Sequence, residues 1–87
     1  MAKTVIKFSA SWCGPCKAYA PVFDKVKQDF KDSIEFIEVD IDSDSEKLSE
    51  KYKVEAVPTT IFLEGTDVLY NVKGAISEDQ LRKLFSN

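Results

Sequence analysis

Eighty-seven residues leave room for one domain, because a chain this short buries only about 60 to 65% of the surface its unfolded form exposes. A hydrophobic share of 44% beside 31% charged residues is too apolar for disorder and too charged for a membrane protein, so a soluble globular domain is expected. With twelve basic and fifteen acidic residues, a net charge of -3 and no His, the chain has neither a phosphate-tracking basic surface nor the imidazole that Ser-His-Asp triads, Cys-His pairs and His-rich metal sites need.

Thr4 to Ser9 is rich in β-branched and aromatic residues and predicts a strand. Ser11 to Pro15 then brings turn chemistry before a helical pattern. From Cys16 to Lys31, Tyr19, Val22, Phe23, Val26 and Phe30 form one apolar stripe with charged residues opposite, an amphipathic helix of four turns or more. Pro21 inside that pattern meets the carbonyl of Lys17 and predicts a bend. Ile34 to Ile41 reads as a second strand whose apolar set shifts phase between Phe36 and Ile37, which points to burial on both faces or to a bulge.

Ser43 with Glu46 has capping-box spacing, and Leu48 with Tyr52 gives a short stripe, so a second, shorter helix is expected within Ser43 to Lys53. Val57-Pro58-Thr59 introduces the strand Thr59 to Leu63, and a turn at residues 64–67 joins it to the strand Val68 to Val72 as a hairpin. After Gly74, Ser77 and Gln80 repeat the capping pattern, Glu78 and Asp79 load the positive helix end, and Leu81, Leu84 and Phe85 form a stripe. The order is βαβαββα, an α/β arrangement with a right-handed parallel crossover and a mixed sheet. The longest apolar run is three residues, as in Ile61-Phe62-Leu63, against about 20 for a membrane helix and about 7 to 15 for a signal-peptide core. No targeting or anchoring segment is expected.

Chemistry concentrates in Trp12-Cys13-Gly14-Pro15-Cys16, where the first strand gives way to the first helix. Residues i and i+3 of a helix share a face about 5 to 6 Å apart, within the Cα range a disulfide accepts. Two cysteines cannot close a four-ligand zinc site, and so small a loop has little value as a staple. The pair therefore reads as a redox couple. Cys13, at the positive end of the helix dipole, is expected to be the attacking thiolate. Cys16, one turn in and more shielded, would resolve the mixed disulfide. Gly14 and Pro15 set the turn, Pro15 without wasting a donor. A cysteine pair without other disulfides suits a reducing, cytoplasmic compartment.

WCGPC followed by Lys17, Pro21 in the first helix, Val57-Pro58-Thr59 before the hairpin and Gly74-Ala75 before the last helix together resemble thioredoxin along nearly the whole chain. The resemblance implies a disulfide reductase with Cys13 as nucleophile and Cys16 as resolving thiol, and a cis bond at Val57-Pro58 facing them. It also implies a substrate groove of Trp12, Val57, Pro58, Gly74 and Ala75. Its partners would be a thioredoxin reductase and disulfide-containing proteins, with no nucleic acid or membrane. No cofactor beyond the Cys13/Cys16 disulfide is implied, NADPH entering only through the reductase, and no metal.

Two departures from the family matter. A strand and a helix usually precede the strand Thr4 to Ser9, and only Met1-Ala2-Lys3 stand there. What remains resembles the smaller, glutaredoxin-size form of the fold, with strands ordered 2-1-3-4, two helices on one face and the Ser43 to Lys53 helix on the other. A monomer is expected, although the thinly covered face could invite a partner or dimer. The second departure is Lys7, six residues before Cys13, where thioredoxins usually carry a buried Asp. Glu38 stands on the neighbouring strand where a Lys is common. Read as an ion pair with exchanged signs, Lys7 would favour the thiolate by Coulomb attraction and Glu38 would accept the proton of Cys16. Read otherwise, they are two solvated side chains.

Three rival functions remain at this level. A glutathione-dependent glutaredoxin suits the short length, but Ala56 stands where glutaredoxins usually have Thr and Gly74-Ala75 lacks their second glycine. A non-enzymatic subunit of a larger assembly would tolerate loss of both cysteines. Iron-sulfur ligation by two cysteines from each of two chains is the third.

Overall fold

The β-branched and aromatic runs of the sequence become strands and its stripes become helices in a computed structural model that describes residues 2–86. In chain order these are β1 (Lys3–Ser9), α1 (Gly14–Phe30), β2 (Ile34–Asp40), a 3-10 turn (Ile41–Ser43), α2 (Leu48–Lys51), β3 (Thr59–Glu64), β4 (Asp67–Lys73) and α3 (Glu78–Phe85). The sheet order is β2-β1-β3-β4, with β1 parallel to β2 and antiparallel to β3, and β3 antiparallel to β4. This is the expected mixed sheet with the expected strand order.

Side-chain alternation divides β1 between two cores. Val5 enters one with Tyr19, Phe23 and Val26 of α1, Ile34 of β2, Phe62 of β3, and Leu81 and Phe85 of α3. Ile6 and Phe8 enter the other with Val39, Ile61 and Leu63, closed by the partly buried Ile37, Ile41, Leu48, Tyr52, Val54 and Val57. Two helices thus cover one face, and α2 with its flanking chain covers the other. The phase shift in β2 is explained by burial on both faces: Phe36 packs on the first core and Ile37 on the second. The pairing of β2 with β1 is continuous. The irregular register falls instead between Phe62 and Leu63, in the β3–β4 pairing.

The expected capping box at Ser43 and Glu46 does not form. Asp44 takes that role: its carboxylate accepts Leu48 N–H at 3.0 Å, Ser49 N–H at 2.8 Å and Ser49 Oγ at 2.6 Å. A carboxylate is a stronger acceptor than a hydroxyl and complements the positive helix end. Lys47 then enters the left-handed region (φ 55°), and α2 is one short turn, Leu48–Lys51. The second predicted box is present, with Ser77 Oγ accepting Gln80 N–H at 3.2 Å and Gln80 Oε1 accepting Ser77 N–H at 3.0 Å. α1 continues through Pro21.

Aromatic packing ties α3 to the sheet. Phe85 sits among Phe23, Phe30, Phe36 and Phe62, with ring centroids 5.6 to 6.2 Å away. Truncating such a ring costs about 3–5 kcal/mol, against about 4 to 13 kcal/mol for a whole domain of this size. Phe85→Ala is therefore expected to lose much of the stability, read from the midpoint of a denaturant titration.

Lys7 is the exception in β1. It shares a strand face with Val5 and is only 5% exposed. The register places it opposite Glu38, and its Nζ lies 3.1 Å from Glu38 Oε1 and 4.8 Å from the centre of the Phe23 ring. Lys27 of α1 holds the other Glu38 oxygen at 2.9 Å. The pair exists, and Lys7 is not solvated. Removing the carboxylate leaves a buried ammonium unpaired, while removing the ammonium leaves a carboxylate that still has Lys27 and water. Because the Glu38 side chain is 42% exposed, Glu38→Gln is expected to cost about 1–2 kcal/mol, below the 3–5 kcal/mol of a fully buried pair. Lys7→Met is expected to be neutral or stabilising.

The hydrogen bond from Lys27, with further help from Lys7, holds Glu38 below its ordinary value of 4.5. A depressed folded value means that this contribution is present above 4.5 and is lost as the pH falls through the lower folded value. Denaturant titrations from neutral to acid pH should therefore show a fall in wild-type stability that is shallower in Glu38→Gln.

Candidate active site

The chain leaves β1 at its C-terminal end and turns through residues 10–13 into α1. Cys13 is the N-cap of α1, with extended backbone angles, and Pro15 lies in the first turn. A proline there wastes no donor, since first-turn N–H groups have no intrahelical acceptor. Cys13 Sγ accepts the Cys16 N–H at 3.2 Å. The two cysteines are joined by a disulfide, with Cα atoms 5.3 Å apart. One helical turn thus supplies the whole redox couple.

Greater shielding of Cys16 is not what separates the sulfurs. Cys13 is 5% exposed and Cys16 6%, because Ala10, Ile41 and Val57 pack around both. The difference is electrostatic and positional. Cys13 receives an N–H at the helix start, where negative charge is favoured. Its sulfur also lies 3.5 Å from Val57 O. Cys16 instead opens on a cleft of about 260 Å³ lined by Lys7, Ser9, Ser11, Lys17 and Asp40 among others.

The Val57–Pro58 bond is cis, as the resemblance implied. Pro58 is fully buried, so it is Val57 before it that meets the surface depression beside Trp12. Its carbonyl accepts Gly74 N–H at 2.8 Å, and Gly74 adopts φ 87°, a conformation that favours glycine. This bond brings Gly74 beside the cis-proline segment, with the exposed Ala75 following. Trp12 and Val57 line a shallow depression of about 280 Å³ with Ile41, Val54 and Ala56. Trp12 is 65% exposed, a large apolar side chain left open beside the sulfurs.

Two residues that the sequence reading did not single out enter here. Asp42 accepts the Trp12 Nε1–H at 2.9 Å, which fixes the indole. Asp40 accepts Asp42 N–H at 2.9 Å and reaches the cleft that Cys16 opens on. In the sequence both sit in an acidic stretch that reads as a solvated loop. Alternation along β2 could have placed Asp40 on the face of Glu38, but the fold was needed to bring α1 across it. Among the described residues no group of His, Cys, Asp or Glu could hold a metal ion, and no helix is long and apolar enough to cross a membrane.

Comparison with known proteins agrees with this geometry. A family model described as Thioredoxin matches residues 1–87. A thioredoxin of Mycoplasmoides gallisepticum is 39% identical over 82 residues, covering 94% of this chain and 80% of the relative. Thioredoxin H4 of Arabidopsis thaliana is 38% identical over 80 residues, 92% of this chain and 66% of the relative. The chain thus spans between 50% and 80% of the length of the curated relatives it matches. Among solved structures, Fasciola hepatica thioredoxin superposes with a TM-score of 0.86 at 33% identity, over 98% of this chain and 79% of that one. The germline-specific thioredoxin Deadhead of Drosophila melanogaster gives 0.86 at 30% identity, with the same coverage. With the family match running the length of the chain and a disulfide-forming pair capping α1, the chain belongs to the thioredoxin family of thiol–disulfide oxidoreductases.

Proposed function

We propose that this chain reduces protein disulfides with Cys13 as nucleophile and Cys16 as resolving thiol, and that a thioredoxin reductase restores the dithiol in a reducing, cytoplasmic compartment. The observation that carries the assignment is the N-cap position of Cys13, whose sulfur accepts the Cys16 N–H. That bond and the helix dipole favour the thiolate on Cys13. The Cys13 thiolate attacks one sulfur of the substrate disulfide, forming a mixed disulfide and releasing the other sulfur as a thiolate. Cys16, deprotonated, then attacks Cys13 Sγ. The mixed disulfide breaks, the substrate leaves reduced, and two electrons have passed from the dithiol to the substrate. The oxidised Cys13–Cys16 pair accepts two electrons from NADPH by way of the reductase. No cofactor beyond this disulfide is needed.

Substrate docks along Trp12, Val57, the cis-proline backbone at Pro58, and Gly74-Ala75. An exposed indole beside the cis-proline segment suits an extended peptide segment flanking the target disulfide. Gly14 and Pro15 hold the turn. Lys7 stabilises negative charge on the sulfurs from beneath α1. Glu38 holds Lys7 in place and bridges it to Lys27, so the three side chains carry one net positive charge.

NADPH consumption with a protein disulfide substrate tests the assignment when a thioredoxin reductase supply is set against glutathione with glutathione reductase. Turnover through the first alone is expected. Turnover through the second alone would make the chain a glutaredoxin, and silence in both, with function surviving loss of both cysteines, would make it a subunit. Cys13→Ser is expected to abolish turnover, and Cys16→Ser to accumulate the mixed disulfide, seen as a mass increment. Lys7→Met should raise the thiol titration and slow attack on the substrate. An unchanged titration and rate would restrict Lys7 to a packing role.

A further inference from the structure

Resolution requires Cys16 to lose a proton, and Lys7, whose ammonium is paired with Glu38, has only donors to offer. From the cleft that Cys16 shares with Asp40 we infer that the Asp40 carboxylate is the proton acceptor for Cys16 during resolution, reached through solvent in that cleft. The inference rests on the assignment of Cys16 as the resolving thiol. Both residues line the same space of about 260 Å³, roomy against the ~10–15 Å³ that one water needs. Asp40 ends β2, in register with Ser9 of β1, and its Oδ1 is fixed by Asp42 N–H at 2.9 Å. The carboxylate therefore has a set orientation at the cleft rather than a free rotor.

Glu38 is less suited, although it lies two residues earlier on the same face of β2. Each of its oxygens is held by an ammonium, Oε1 by Lys7 and Oε2 by Lys27, and it is not among the residues lining this cleft. The charged groups facing Cys16 and Asp40 there are Lys7 from β1 and Lys17 from α1, with Asp42 on the following turn. The two ammoniums favour the thiolate that forms, and the carboxylate takes its proton. In the step itself the Cys16 S–H proton passes through water to Asp40. The Cys16 thiolate bonds to Cys13 Sγ, and the bond from Cys13 to the substrate sulfur breaks. The departing thiolate regains a proton from Asp40 or from solvent, which returns the carboxylate.

A chromogenic aromatic disulfide separates the steps, since one coloured thiolate leaves when Cys13 attacks and the second when Cys16 resolves. In stopped flow, Asp40→Asn is expected to leave the first release unchanged and slow the second about tenfold. This lies below the full range for a positioned base, because water in the open cleft still accepts protons. Asn retains an oxygen to accept Asp42 N–H, and matching thermal melts would establish that the turn is kept. The deficit should grow as the pH is lowered from alkaline towards neutral, and Asp40→Glu should restore most of the rate. A second release at the wild-type rate in Asp40→Asn, or a deficit independent of pH, would overturn the assignment. Loss of the second release in Glu38→Gln but not in Asp40→Asn would transfer the role to Glu38. A wild-type chain giving no first release would overturn the Cys13 reading instead, and the assignment with it.

Discussion

The structure depends on β1 being hydrogen-bonded on both edges. With β2 on one side and β3 on the other, its backbone groups are satisfied by the sheet, and its side chains can enter two different cores. Val5 feeds the α1/α3 side and Ile6 with Phe8 the α2 side. A strand fixed in this way delivers its C-terminal end to one place. Residues 10–13 turn from that end into α1, whose stripe of Tyr19, Phe23 and Val26 lies on the first core. The position of Cys13 as N-cap is thus set by the packing of a helix four turns long, not by the local loop.

That same framework decides the chemistry at the sulfurs. A helix start anchored over a sheet presents N–H groups in fixed directions, so the Cys16 N–H already points at Cys13 Sγ before substrate arrives. Positioning of this kind requires no reorganisation during attack. The cis segment at Val57–Pro58 and the Gly74 N–H bound to the Pro58 carbonyl come from the other end of the chain. Val57 reaches the pair, its carbonyl 3.5 Å from Cys13 Sγ, because β3 is the antiparallel neighbour of β1, and Gly74 joins the same segment because β4 is the neighbour of β3.

Lys7 shows how a framework can accept a residue that breaks its alternation. Its ammonium lies over the Phe23 ring and reaches Glu38 across the parallel register. Glu38 in turn gains Lys27. Lys7 also lines the cleft on which Cys16 opens. The same geometry leaves Asp40 as the carboxylate on the Cys16 cleft.

The sequence by itself determined the element order, the apolar stripes of α1 and α3, the Ser77/Gln80 cap and the cysteine spacing, since periodicity and helix-end chemistry are local and repeat at fixed intervals. It left Lys7 and Glu38 as either an ion pair or two solvated side chains, and the parallel register that sets them opposite each other chose the pair. It misplaced the cap of α2, because Ser43, Asp44 and Ser45 are all acceptable capping residues and only the backbone path out of the 3-10 turn selects Asp44. It placed a bulge option in β2 where burial on both faces was the answer, because one phase shift has two causes that only the layers on either side distinguish. The near-equal burial of the two cysteines, the Trp12–Asp42 bond and the shared cleft of Cys16 and Asp40 were decided by tertiary structure alone. Each joins residues at least 24 positions apart or depends on what packs around them, and no local pattern in a chain encodes which of its distant side chains will meet.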